Sequence, residues 1–146
     1  MTSAIFLDAN IPTYAVGRPH PLKEPCLLVL GLVAEQPRRF FTDVEVFQEL
    51  LHRYLALHFW PQGKGVIQRF GRLMEGRVVP ITWEDIHKAV EFADLYSGPS
   101  ARDLLHLAVM TRLGCRRTVS ADRDFDRFPE VQRLDPLEIG TWRAEL

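Results

Sequence analysis

Short apolar runs that stop at or just before an aspartate, separated by stretches with helical spacing, constrain this chain most. Ala4 to Leu7 is apolar and ends at Asp8, and Arg117 to Ser120 reads as a strand with Asp122 just beyond it. Runs this short and apolar suit strands buried on both faces, with the helical segments covering them. Strands alternating with helices imply an α/β fold built on a central parallel sheet. In such sheets ligands bind beyond the carboxyl ends of the strands, so Asp8 and Asp122 stand where functional carboxylates are expected.

Asn10 and Pro12 after the first strand mark a loop and a helix start. Glu24 to Gln36 carries Leu27, Leu28, Leu30 and Val33 at helical spacing and stops before Pro37, and Phe40-Phe41 forms a second short strand closing at Thr42. Thr42-Asp-Val-Glu45 has the form of a capping box opening a helix to about Leu57. A helix over Gly65 to Met74, a strand-like Val78 to Ile81 and a helix opened by Thr82 follow, the last carrying Ile86, Ala89, Val90 and Ala93. Ser97-Gly98-Pro99 breaks it, Ser100 caps an almost wholly apolar helix from Ala101 to Leu113, and Gly114 ends that helix. The tail reads as a turn near Phe125, a strand over Val131 to Leu134 and a turn after Pro136. With no repeat, linker or low-complexity tract, residues 1–146 are expected to form one domain.

Composition excludes more than it selects. A net charge of −1 gives no whole-molecule field for nucleic acid, and most of the arginines that dominate the 18 basic residues are assigned to surface carboxylate pairs. Cys26 and Cys115 lack a CxxC partner and read as buried, reduced thiols. The longest apolar run, around Cys26 to Ala34, falls well short of the ~20 residues that span a bilayer, and the start lacks a basic region ahead of an apolar one. A cytoplasmic protein without membrane attachment is expected.

Carboxylates gathered in one crevice repel each other unless a cation compensates them, so a persistent cluster implies a bound divalent metal. Oxygen ligands favour a hard ion such as Mg²⁺ or Mn²⁺, and such an ion against a phosphodiester activates water and offsets charge on the leaving oxygen. Four segments then stand out in order: Phe6-Leu-Asp8-Ala-Asn10, Phe47-Gln-Glu49-Leu-Leu-His-Arg53, Arg102-Asp103-Leu-Leu-His-Leu-Ala108 and Ser120-Ala-Asp122-Arg-Asp124-Phe125. Together they resemble the PIN domain in the form used by VapC-like toxins, over nearly the whole chain. The resemblance implies a three-layer α/β/α sandwich and an endoribonuclease using Mg²⁺ or Mn²⁺. It also implies a homodimer and a cognate antitoxin partner. Carried over by position, Asp8, Glu49, Asp103 and Asp122 form the acidic catalytic set, with Asp8, Asp103 and Asp122 as metal ligands. Asp124 is an auxiliary carboxylate, and Asn10 and Ser120 orient the others.

Each residue also has a plain structural reading. Asp8 and Asp122 can cap turns, Asp124 is better placed than Asp122 for the turn at Phe125, and Asp103 suits the positive end of its helix dipole. A helical wheel with Val44, Phe47, Leu51, Tyr54 and Leu55 on one stripe puts Glu49 off centre, so only the resemblance brings it to the site. His52, His58, His87 and His106 lack metal-ligand spacing, His106 is read as a hydrogen-bonded core or edge residue, and Trp60, Trp83 and Trp142 as packing residues. Gly63-Lys-Gly65 reads as a helix-start loop. Two other functions compete: a PIN-like module that binds RNA or protein without cutting, and a haloacid-dehalogenase-type phosphatase suggested by Asp8-Ala-Asn10-Ile-Pro-Thr13. The second lacks its acid/base aspartate, since Asn10 stands there.

Overall fold

The computed structural model describes residues 4–146, so the reading of Met1 to Ser3 as free of a leader lies outside it. The central strand β1 (Ile5–Leu7) is wholly buried. It pairs in parallel with β2 (Phe40–Asp43) on one side and β4 (Arg117–Val119) on the other. The outer strands β3 (Val78–Val79) and β5 (Gln132–Leu134) complete a five-stranded parallel sheet in the order β3-β2-β1-β4-β5. Thr42 and Thr118 flank β1 and donate their buried hydroxyls to the Leu7 and Phe6 carbonyls, which satisfies groups that burial would otherwise penalise.

Parallel neighbours need crossovers, and the right-handed rule decides which face each helix covers. Passage from β1 to β2 runs through α1 (Asn10–Val16) and α2 (Lys23–Glu35), and from β2 to β3 through α3 (Val44–Ala56) and α4 (Trp60–Leu73). The return from β3 to β4 runs through α5 (Trp83–Leu95) and α6 (Ala101–Arg112), which puts that pair on the opposite face. The expected α/β/α layering follows. A main core joins the sheet to α1–α4 and to the short C-terminal α7 (Ile139–Trp142), and a smaller one joins α5 and α6 to Phe125 and Phe128. Cys26 and Cys115 are buried free thiols, as expected, and no helix among the described residues is long and apolar enough to cross a membrane.

Several expectations change on contact with the packing. Thr42 does not open a capping box: it lies in β2, and Asp43 caps α3 by accepting from the Val46 N–H at 2.9 Å. A full capping box forms instead at Thr82 and Asp85 on α5. The buried stripe of α3 is Val46, Leu50 and Tyr54, while Val44, Leu51 and Leu55 are exposed. The helix is therefore rotated relative to the wheel that pushed Glu49 outward. Helix α4 starts at Trp60, so Gly63-Lys-Gly65 is helical and not a loop. Pro61 suits a first helical turn, and Gly63 allows α4 to lie against α3, because a Cβ there would sit 2.3 Å from Tyr54 Cβ. On α5 the buried residues are Asp85 and Phe92, whereas Trp83, Ile86 and Val90 face outward. The bidentate pair of Arg112 with Asp85 (2.9 and 3.0 Å) explains that rotation by tying α5 to α6 through a charge-assisted contact.

Candidate active site at the carboxyl edge of the sheet

Strand order reverses at β1, between β2 and β4, and the crevice beyond β1 and β4 is the switch point where α/β sheets bind ligands. Asp8 follows β1, while Ser120 and Asp122 follow β4. The buried Ser120 hydroxyl donates to Asp8 Oδ2 at 2.6 Å and accepts from the Asn10 side-chain amide (3.1 Å) and the Asp122 N–H (3.0 Å). One donor and two acceptors are all a serine hydroxyl has, so this one is saturated and its direction fixed. Asn10 also donates to Asp8 Oδ2 (3.1 Å) and accepts from the Ala121 N–H (3.1 Å). Asn10 and Ser120 thus clamp the two strand ends together and orient Asp8.

Asp122, not Asp124, is the cap of the turn at Phe125: its Oδ1 accepts from the Asp124 N–H at 2.9 Å. Its other oxygen is left for the crevice. Asp103 lies in the first turn of α6, whose start is capped by Ser100 accepting from the Asp103 N–H. Asp103 is buried, and its pKa is raised by that burial and by the charge of Asp122, with His106 opposing. Asp8 is buried too. Desolvation lifts its pKa to about 6 against the lowering effects of His106, Ser120 and Ala9, while Glu49 adds to the rise.

Glu49 faces inward. Its Oε1 lies 3.8 Å from His106 Nε2, and Asp8 Oδ1 lies 4.0 Å from the same atom. His106 was left out of the site at the sequence level, and its core reading is half the account. The ring is fully buried, is bonded through Nδ1 to Asp43 Oδ2 at 2.7 Å, and packs against Phe6 with centroids 5.0 Å apart. Its Nε2, however, has no hydrogen-bond partner among the described residues and faces the two carboxylates. Burial lowers its pKa, but Asp43, Glu49 and Asp8 together outweigh that and hold the imidazole well above its ordinary value. The spacing Asp103 to His106, three residues along one helix, was the available signal: such residues share a face.

The ligand-capable atoms fall into two groups, Asp8 with Glu49 and His106, and Asp103 with Asp122 and Asp124, each within 4.8 Å. The expected metal set of Asp8, Asp103 and Asp122 is thus divided between them, bridged by Ser120 through its bonds to the Asp8 carboxylate and the Asp122 backbone. The raised pKa values of buried Asp8 and Asp103 mark carboxylates whose charge a bound divalent cation would stabilise. The mostly oxygen donor set fits a hard divalent ion.

The family model described as PIN domain matches residues 5–131. The chain belongs to the PIN domain family. Ribonuclease VapC13 of Mycobacterium tuberculosis is 36% identical to this PIN domain over 132 residues, covering 89% of this chain and 98% of the relative. Among solved structures it is similar to VapBC2 from Rickettsia felis, solved with a promoter DNA fragment (TM-score 0.69, 17% identity, 90% of this chain and 98% of that one). It is also similar to Mycobacterium tuberculosis VapC20, described as a sarcin-ricin-loop-cleaving toxin (TM-score 0.67, 17% identity, 84% and 93%). At such identities these two structures support the fold of the PIN domain, and the sequence relative supports its family.

Proposed function

We propose that this PIN domain is a divalent-metal-dependent endoribonuclease and the toxin of a toxin–antitoxin pair. The observation that carries the reading is the pair of buried carboxylates, Asp8 and Asp103, gathered with Glu49 and Asp122 at the switch point of the sheet. Each faces a second carboxylate, Glu49 beside Asp8 and Asp122 beside Asp103, and a bound cation relieves the repulsion within each pair. The names of the sequence relatives, ribonucleases of the VapC type, give the substrate class.

In this reading Asp8, Glu49, Asp103 and Asp122 are the catalytic set, and Asp8, Asp103 and Asp122 hold Mg²⁺ or Mn²⁺. The ion supplies activation of water and offsets charge on the phosphate during hydrolysis. The chain's own groups do the positioning. Ser120 and Asn10 fix the direction of Asp8, the Ser100 cap fixes Asp103, and the backbone turn fixes Asp122. Asp124 adds a further carboxylate to the group of Asp103 and Asp122, in ion-pair reach of Arg127 at 3.5 Å.

Partners follow from the same reading. A similar solved structure is a toxin–antitoxin complex from Klebsiella pneumoniae, which supports a cognate antitoxin here. The outward apolar row of Trp83, Ile86 and Val90 on α5 supports a homodimer, with a solution mass twice the 16.8 kDa of the chain in light scattering. A monomer at all concentrations contradicts that part. The cytoplasm, where RNA is found, is the expected location. Induced expression in a bacterial host tests the whole: growth should arrest, recover on co-expression of the neighbouring reading frame, and continue unchecked for Asp8→Asn. Growth arrest that persists in Asp8→Asn excludes cleavage at this site as its cause.

A further inference from the structure

We propose that the cavity between α1 and α3, opening beside Asn10 and Glu49, binds the RNA backbone next to the cleaved bond, with Arg18 and Arg53 as its phosphate ligands. The proposal rests on the ribonuclease reading and specifies which way the substrate leaves the carboxylates.

The cavity measures about 370 Å³ and has Asn10 and Glu49 at one end and Gly17, Arg18, His20 and Arg53 among its other walls. Helical geometry sets that layout. Asn10 and Tyr14 are one turn apart on α1, and Glu49 and Arg53 one turn apart on α3, so each helix carries a site residue and, ~6 Å further on, a cavity residue. That advance is of the order of one backbone step in an extended nucleic acid strand.

Charge favours phosphate as the occupant. The arginines at 102, 112, 127, 133 and 143 are paired with carboxylates. Several other arginines, Arg18 and Arg53 with them, have no hydrogen-bond or ion-pair partner among the described residues, and of these Arg18 and Arg53 line the cavity. The only carboxylate of the cavity is Glu49, at its catalytic end. The acidic site itself repels a polyanion, and the chain has a net charge of −1, so affinity for RNA has to come from local cations. Guanidinium groups bind phosphate bidentately.

Shape adds the second feature of single-strand binding. Tyr14 and His20 lie with ring centroids 4.7 Å apart and 35° between planes, forming an aromatic wall on which a base can stack. His20 Nδ1 accepts from the Leu22 N–H, which turns its Nε2 edge outward as a donor. Past Arg18 and Arg53 a second cavity of about 460 Å³ continues along the same two helices to Leu57 and Phe59. The arginine pair stands where the two cavities meet. A continuous track from the carboxylates favours RNA over an acidic peptide as the ligand.

Both arginines are exposed, so R18A/R53A should keep the wild-type melting temperature. The experiment reads fluorescence anisotropy of a labelled oligouridylate on a cleavage-deficient Asp122→Asn background, where Asn still caps the turn, and in parallel the cleavage kinetics of the otherwise native chain. Adding R18A/R53A is expected to weaken binding about tenfold and, with two phosphate contacts gone, to make the log K against log salt slope shallower by roughly 1.4. In cleavage KM should rise, with kcat at saturating RNA within about twofold of wild type, as for removal of uniform binding. Arg38→Ala, exposed at the other end of the sheet, should change neither. Unchanged affinity and slope in R18A/R53A, or an equal loss in Arg38→Ala, overturns the proposal. Intact RNA binding with lost binding of the antitoxin overturns it in favour of a peptide site. No cleavage by wild type together with no binding by Asp122→Asn fails the ribonuclease reading itself, and this proposal with it.

Discussion

At Asp8 burial acts directly on a carboxylate of the site. Its carboxyl is lifted from 3.8 to about 6, first by burial. Between those values the folded chain holds a proton that the unfolded chain has released, so stability falls as pH rises through that window. The gap corresponds to about 3 kcal/mol at most. Asp8→Asn removes the ionisation, so the metal-free variant should melt several degrees above wild type at pH 7 to 8. The difference should shrink towards zero below pH 4, and a pH-independent difference in thermal scans would argue against buried ionisation as the cause. Divalent metal should stabilise wild type and leave Asp8→Asn nearly unmoved. His106 makes a related case. His106→Phe keeps a ring of similar size but strands Asp43, and should cost about 3 kcal/mol in urea unfolding. The double variant with Asp43→Asn should cost about 1–2 kcal/mol less than the two single changes added together, and strict additivity would mean that the pair is not coupled.

At the scale of elements, side-chain spacing indicated where helices begin and end better than which way they face. Ser100 and Gly114 bound α6 as their chemistry demands, with Gly114 at φ 67° where a left-handed residue ends a helix. The face of α3 was not legible, because Val44, Leu51 and Leu55 satisfy an apolar period as well as Val46, Leu50 and Tyr54 do. Only packing against α4 and the sheet chooses between them, and that choice brings Glu49 to the crevice. Thr42 and Asp43 posed the same problem. Both cap helices well, and the need of the Leu7 carbonyl for a donor draws Thr42 into the sheet and leaves the cap to Asp43. The close approach of α3 and α4 depends on Gly63. Gly63→Ala should destabilise by about 1–3 kcal/mol in denaturant unfolding, against the gain expected from helix propensity alone. A stabilised variant would mean that the two helices do not pack so tightly.

Over the whole molecule, the order of strands is what turns scattered acids into a site. Asp8 and Asp122 could be placed at the carboxyl edge of the sheet in advance because each follows a short apolar strand, and the sheet puts those two strands side by side. Asp103 and Glu49 come from helices in different layers, so nothing in local periodicity marks either for the candidate site, and the likeness of the ordered motifs to PIN domains had to supply them. His106 was missed because its partners, Asp43, Asp8 and Glu49, are distant in sequence and converge only through the fold. In the proposed function this convergence holds a divalent ion against RNA. Its most direct test is the cleavage rate of labelled total bacterial RNA against Mn²⁺ concentration for wild type, Asp8→Asn and Asp122→Asn. Wild type should show saturable, chelator-reversible cleavage, and both variants a loss of at least about a hundredfold, on the order of a metal-site defect. Cleavage that survives chelation, or that either variant retains, would contradict the proposed function.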